Sequence, residues 1–188
     1  MMRALFFAIA LVVPAFPLFG TTIFADGSYH EFNFGTATSA VTGCSSACTP
    51  SINPAGAEQT SSPPWLFSGA AVLFIIDVGN KGDLFAAFDN GSPLGSTSSV
   101  PNVTPGDNPC GFNIGCAIAD SGYSRGTYVL GAGSHSITIN VTQNAIGTTF
   151  GNAFFSVGAA SVPEPGTALL FSGGLLALGI GGWRRRKA

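Results

Sequence analysis

Between residues 26 and 162 the apolar side chains come in short bursts separated by Gly, Pro, Asn and Ser, a strand-and-turn rhythm rather than a helical one. Eight strands are expected, over residues 28–34, 65–67, 71–78, 83–89, 92–97, 126–130, 134–142 and 152–158. The clearest is Ser136-Ile137-Thr138-Ile139-Asn140-Val141-Thr142, where alternation sends Ile137, Ile139 and Val141 to a core and their polar neighbours to water. Residues 71–78 are continuously apolar, which predicts a central strand covered on both faces. Asn90-Gly91, between Phe88 and Leu94, predicts a two-residue hairpin turn with positive φ that pairs the strands on either side. No helix is expected between Asp26 and Val162. Residues 36–64 and 98–123, rich in Pro and small polar side chains, read as two long loops. The pattern as a whole predicts an all-β fold, a single jelly-roll-like β-sandwich over residues 26–158 followed by a small-residue linker at 159–162.

The two ends have a different character. Arg3 is the only charge before Asp26, and Ala4 to Val13 is an unbroken apolar run followed by Pro14 and Pro17, the pattern of a secretory signal peptide over residues 1–25. Gly20 and Ala25 both offer a small residue at the cut. The step to polar sequence at Asp26 favours Ala25. At the C-terminus, Pro163, Glu164 and Pro165 precede an uncharged apolar stretch, then Trp183 and the cluster Arg184, Arg185, Arg186, Lys187. At about 1.5 Å per helical residue, a helix over 167–183 would be roughly 25 Å long, a thin membrane span whose basic tail at 184–187 stays on the cytoplasmic side.

This three-part order, a Pro-Glu-Pro motif, a short apolar helix and a terminal Arg cluster, resembles the PEP-CTERM sorting signal of bacteria, over residues 163–188. The resemblance implies recognition at Pro163, Glu164 and Pro165 by exosortase, a membrane protease-transpeptidase, with processing near that motif. It further implies transient anchoring in the inner membrane, delivery to the cell surface or extracellular matrix, and association with exopolysaccharide and biofilm. A second likeness runs through Pro63-Pro64-Trp65-Leu66-Phe67, Gly82-Asp83-Leu84-Phe85, Phe88-Asp89-Asn90-Gly91 and Gly131-Ala132-Gly133-Ser134-His135. It is similar to uncharacterised extracellular β-rich domains joined to such signals, and implies no chemistry.

Charge and cysteine content fit an exported body. The chain has 7 Lys and Arg against 9 Asp and Glu, but five of the cations lie in the two terminal segments. The body keeps Lys81 and Arg125 against eight acids, and such a surface offers no basic patch to nucleic acid. Cys44, Cys48, Cys110 and Cys116 would meet oxidising conditions outside the cytoplasm. Three connectivities are open. Chain-entropy arguments favour a long bridge between the pairs, and proximity during export favours Cys44 with Cys48 and Cys110 with Cys116. Their spacing does not make the paired knuckles of a zinc ribbon.

Catalytic constellations are poor. A Ser-His-Asp hydrolase needs a base, and only His30 and His135 are on offer, each with the surroundings of a solvated edge histidine. No GxSxG elbow surrounds any serine. Asp77, Asp83, Asp89 and Asp120 could in principle serve a glycosidase or calcium, yet residues 77–83 match an EF-hand loop only superficially, and a capped turn explains them more economically. The expectation is a non-catalytic structural protein with no cofactor and no metal. The alternative is a carbohydrate-binding module in which Trp65 and Tyr123 stack on sugar rings, against which a Trp beside Pro64 also suits a core.

Overall fold

The computed structural model describes residues 20–44, 58–59, 61–102 and 104–160. In chain order these form β1 (Thr21–Thr22), β2 (Asp26–Phe34), β3 (Thr42–Gly43), β4 (Glu58–Gln59), β5 (Trp65–Ser68), β6 (Ala71–Asp77), β7 (Leu84–Asp89), β8 (Ser92–Ser96), α1 (Ile114–Ala119), β9 (Arg125–Leu130), β10 (Ser134–Gln143) and β11 (Gly151–Ala159). All eight expected strands are present. Their ends lie within about two residues of the expected positions, the ordinary uncertainty of strand boundaries.

The strands make two sheets. One has the order β1-β5-β10-β7-β8, the other β3-β2-β11-β6-β9, with β4 added in parallel to β2. A shared core joins them, because alternate residues of both sheets enter one cluster: Phe32 and Phe34 of β2, Leu73 and Ile75 of β6 and Phe155 of β11 meet Trp65 of β5, Phe85 of β7 and Ile137 and Ile139 of β10. Trp65 packs on Phe155 with ring centroids 4.4 Å apart, and Phe85 meets Phe32 at 5.5 Å and Phe34 at 5.1 Å. The indole satisfies its own donor by bonding to the Ser61 carbonyl at 2.9 Å. The expected hairpin is there: Asn90 and Gly91 take φ of 50° and 77°, and Asp89 pairs with Ser92.

Four features depart from the pattern-based expectation. The loop at 98–123 contains a helix, α1, too short to declare a 3.6-residue period. Asn113 caps it by accepting from the Cys116 amide at 3.0 Å. Ile114 and Ala117 then bury against Ile76, Val78, Tyr123 and Phe154 in a second cluster on the outer face of the six-stranded sheet. The loop is therefore a cover, and it gives β6 its second buried face towards Asp77. The loop at 36–64 is likewise not bare, since β3 and β4 extend β2, and residues 38–41 pair with β10 through bonds such as Val41 N to Ile139 O at 3.1 Å. Thirdly, residues 21–25, assigned to the leader by the polarity step at Asp26, join the sheet: Thr21 N donates to Pro64 O at 3.0 Å, Ile23 N donates to Leu66 O at 2.9 Å, and Ile23 is a core residue. Lastly, Ala159 belongs to β11 and Ala160 N bonds Ala70 O at 3.2 Å, so the expected linker is half taken up by the fold.

Candidate functional site

Strand alternation puts two acids where apolar residues would be expected. Along β6 the inward positions are Ala71, Leu73 and Ile75, and Asp77 is the next member of that series. Along β7 the inward series Phe85 and Ala87 extends backwards to Asp83. The turn at 78–82 carries the chain from one sheet to the other between them, and both acids finish at one end of the inter-sheet core. Asp77 is 0% exposed and Asp83 2%. The antiparallel register of β6 with β9, continued one step past Ile76 and Arg125, sets Ser124 opposite Asp77, and Asp77 N donates to Ser124 O at 2.9 Å. Cross-strand partners share a face, so the Ser124 side chain lies on the side of Asp77.

The polar atoms here are incompletely satisfied. Asp83 accepts from Ala145 N through Oδ1 at 2.7 Å. Neither carboxylate oxygen of Asp77 has a hydrogen bond, nor does Ser124 Oγ. Burial pushes the Asp77 carboxyl well above the ordinary carboxylate range, and the Asp83 charge adds to the rise. The nearby amides of Asp83, Gly82 and Val78 oppose it without reaching bonding geometry. Burial raises Asp83 to about 7, against the Ala145 amide. Lys81, inside the same turn, does not neutralise them: its Nζ pairs with Asp120 at 2.8 Å and Asp107 at 3.6 Å and sits 5.6 Å from the Tyr123 ring centre. The turn is pinned by Tyr123, whose hydroxyl donates to Gly79 O at 2.9 Å and accepts from Cys110 N at 3.2 Å. Gln143 Nε2 donates to Gly82 O at 2.7 Å. Gly82 has φ of +118°, and a Cβ there would lie 2.5 Å from Asn102 Oδ1, so no other residue fits.

His135 is not the solvated edge residue its flanking serines suggest. It is 7% exposed, stacked on Phe67 at 4.9 Å, its cross-strand partner. Nδ1 lies 2.8 Å from Asp89 Oδ2 and Nε2 lies 3.0 Å from Gly131 O. Both partners are acceptors, an arrangement that favours the imidazolium, in which both ring nitrogens donate. Burial lowers its pKa, but the Asp89 carboxylate and the Gly131 carbonyl outweigh that, and the net shift is upward. A ring with both N–H groups committed has no lone pair to take a serine proton. His30 is buried too, its ring 5.1 Å from Phe155, where an edge position beside the new N-terminus was expected. His135 borders a groove of about 570 Å³ that is also lined by Ile23, Phe24, Leu66 and Phe67.

The remaining sequence candidates divide clearly. Trp65 and Tyr123 are both 0% exposed, so neither presents a face to a sugar; packing, not recognition, explains them. Cys110 and Cys116 form a disulfide with Cα atoms 5.5 Å apart. Cys44 is also disulfide-bonded, and Cys48 lies outside the described residues. Asp89 serves His135 and Asp120 serves Lys81. The buried acid pair was visible in sequence only as a turn. What signals it is parity: Asp77 and Asp83 each continue an inward-facing series.

Pro163, Glu164, Pro165, the expected helix at 167–183 and the cluster Arg184, Arg185, Arg186 and Lys187 lie outside the described residues. Among the described residues no helix is long and apolar enough to cross a membrane. The fold's last described bond is made by Ala160, and residues 161–187 match the PEP-CTERM protein-sorting motif. The chain carries a PEP-CTERM sorting signal. The motif thus begins one residue after Ala160. A PEP-CTERM protein is exported, held in the membrane before processing, and processed by exosortase, itself a membrane protein. No curated protein and no solved structure matches this chain.

Proposed function

We propose that this PEP-CTERM protein is a non-catalytic structural component of the cell surface or extracellular matrix, associated with exopolysaccharide and biofilm. A signal peptide starts its export, a helix over 167–183 tethers it with the basic cluster at 184–187 on the cytoplasmic side, and exosortase releases it near Pro163, Glu164 and Pro165. The exported body is a jelly-roll-like β-sandwich. One observation carries this reading: the sorting motif at 161–187 follows directly on Ala160, which is hydrogen-bonded to Ala70 at the end of a two-sheet domain. Support for a non-catalytic body comes from His135, whose two nitrogens are both committed, and from the aromatic candidates Trp65 and Tyr123, which are core residues.

Peptide mapping with intact mass on protein from the culture matrix of the native host tests it. The expected chain ends near Pro163 to Pro165 and co-fractionates with extracellular polysaccharide. A chain recovered with its tail intact, in membranes only, would sink both processing and matrix residence.

A further inference from the structure

Among the described residues, no cation pairs with the buried acids at the end of the inter-sheet core. Both belong to inward-facing series, both are shielded from water, and they repel each other across the turn that joins the sheets. Lys81, whose backbone lies within that turn, turns outward to Asp107 and Asp120. Directly opposite Asp77, the Ser124 hydroxyl is also buried and unbonded. Three side-chain oxygens on this face therefore lack a hydrogen-bond partner among the described residues, the two of Asp77 and the Ser124 Oγ. Asp83 adds a carboxylate with only Oδ1 occupied, by the Ala145 amide. Leaving such groups unmatched in a closed core is unfavourable, whereas a cation would answer all of them at once.

We propose that Asp77, Asp83 and Ser124 form a divalent-cation site, and that the ion is calcium. The donors are carboxylate and hydroxyl oxygens, hard ligands that suit calcium or magnesium rather than zinc or copper. Among the described residues no three His, Cys, Asp or Glu side chains converge, so the site is one of two carboxylates completed by the hydroxyl and water. Calcium tolerates that irregular set, while magnesium demands near-octahedral ligands and gives up its water reluctantly. An exported protein meets calcium outside the cell, where modules with few charged ligands bind at roughly 0.1–1 mM. The surroundings are built to hold the acids still: Tyr123 pins Gly79, Gln143 pins Gly82, and the Cys110–Cys116 disulfide closes the loop that carries α1 over the neighbouring sheet face. Calcium here would lock the crossing between the sheets, the step on which their face-to-face packing depends.

The test uses the full chain in detergent micelles, stripped with a calcium-selective chelator and titrated separately with calcium chloride and magnesium chloride. Calorimetry should show one calcium per chain, with magnesium weaker. Saturating calcium should raise the melting temperature by roughly 5 °C or more. Asp77→Asn and Asp83→Asn should each weaken calcium binding about tenfold or more, because site charge sets affinity. Asp77→Asn is a neutral isostere of the buried carboxyl, so its chelated form should melt no lower than the chelated parent while losing the calcium response. Ser124→Ala keeps both carboxylates and should weaken binding by a smaller factor, which serves if an Asp variant fails to fold. Asp26→Asn, at an exposed acid remote from the turn, should leave binding unchanged. Absence of both heat and melting shift in the parent would overturn the proposal, and would mean that Asp77 is kept protonated beside the turn amides. Retention of the full calcium response in both Asp variants would overturn it as well, by placing the ion elsewhere.

Discussion

His135 shows how far a side chain's role depends on what lies opposite it. In sequence it stands between two serines near the start of a strand, and that local setting describes an exposed residue. Register decides otherwise. Pairing with β5 sets it against Phe67, and pairing with β7 brings Asp89 within 2.8 Å. These contacts span 46 residues or more of chain, or come from a partner strand, and no local pattern encodes them. Trp65 is the converse case, because its place beside Pro64 in a β-rich chain already hinted at a core position that the 0% exposure bears out. The ion pair at His135 has a pH signature. Its folded pKa is raised, so the stabilisation is complete below the unfolded value of about 6.5 and is lost as pH rises through the folded value. Asp89→Asn should lower unfolding free energy by about 1.5–3 kcal/mol at pH near 6, the usual worth of a hydrogen bond to a charged group. The gap to the parent should narrow as pH rises through the raised folded value, where the parent ring loses its proton. Urea unfolding across that pH range measures this, and a gap independent of pH would show that His135 is not the imidazolium its partners imply.

At the scale of elements, the strands were legible and their neighbours were not. Alternation in β10, the Asn90-Gly91 turn and the apolar run of β6 are local signals, readable without knowing any partner. Sheet order is set by which surfaces close on which. That β11 inserts between β2 and β6 follows from Phe155 facing Trp65 and Phe154 facing the α1 cover. The short elements escaped for a related reason. Strand β1 has two residues and α1 six, too few for a period, and each exists because a neighbour supplies half of its bonds or its apolar contact. β1 also bears on export. A cut after Ala25 would discard Ile23, which is 6% exposed, and the bonds to Pro64 and Leu66. Burial of one such side chain contributes about 1.5–3 kcal/mol, a large share of a domain's net stability. Amino-terminal sequencing of the exported protein should therefore find a start at or before Thr21. A mature chain beginning at Asp26 would show that β1 is dispensable to the fold.

For the molecule as a whole, the place of the last described strand bears on what tail removal does to the fold. β11, the last described strand, is an inner one, paired with β2 on one side and β6 on the other, and Val157 near its end is a core residue. Had the domain ended on an edge strand continuous with the tail, a cut near the sorting motif would disturb pairing and the product would differ from the precursor. Here the ladder finishes at Ala159 paired with Ala71, and Ala160 closes it on Ala70. The sorting motif starts one residue later. A chain stopped after Ala160 should therefore match the full chain in unfolding free energy to within about 0.5 kcal/mol, the range of changes that touch no packed group. A chain stopped after Ser156 loses Val157 from the core and the last ladder bonds, and should be weaker by about 2 kcal/mol or more. Urea unfolding of the two truncations beside the full chain in micelles gives the comparison. If the chain stopped after Ala160 is markedly weakened, the tail contributes to the fold, and release by exosortase would change the domain rather than only set it free.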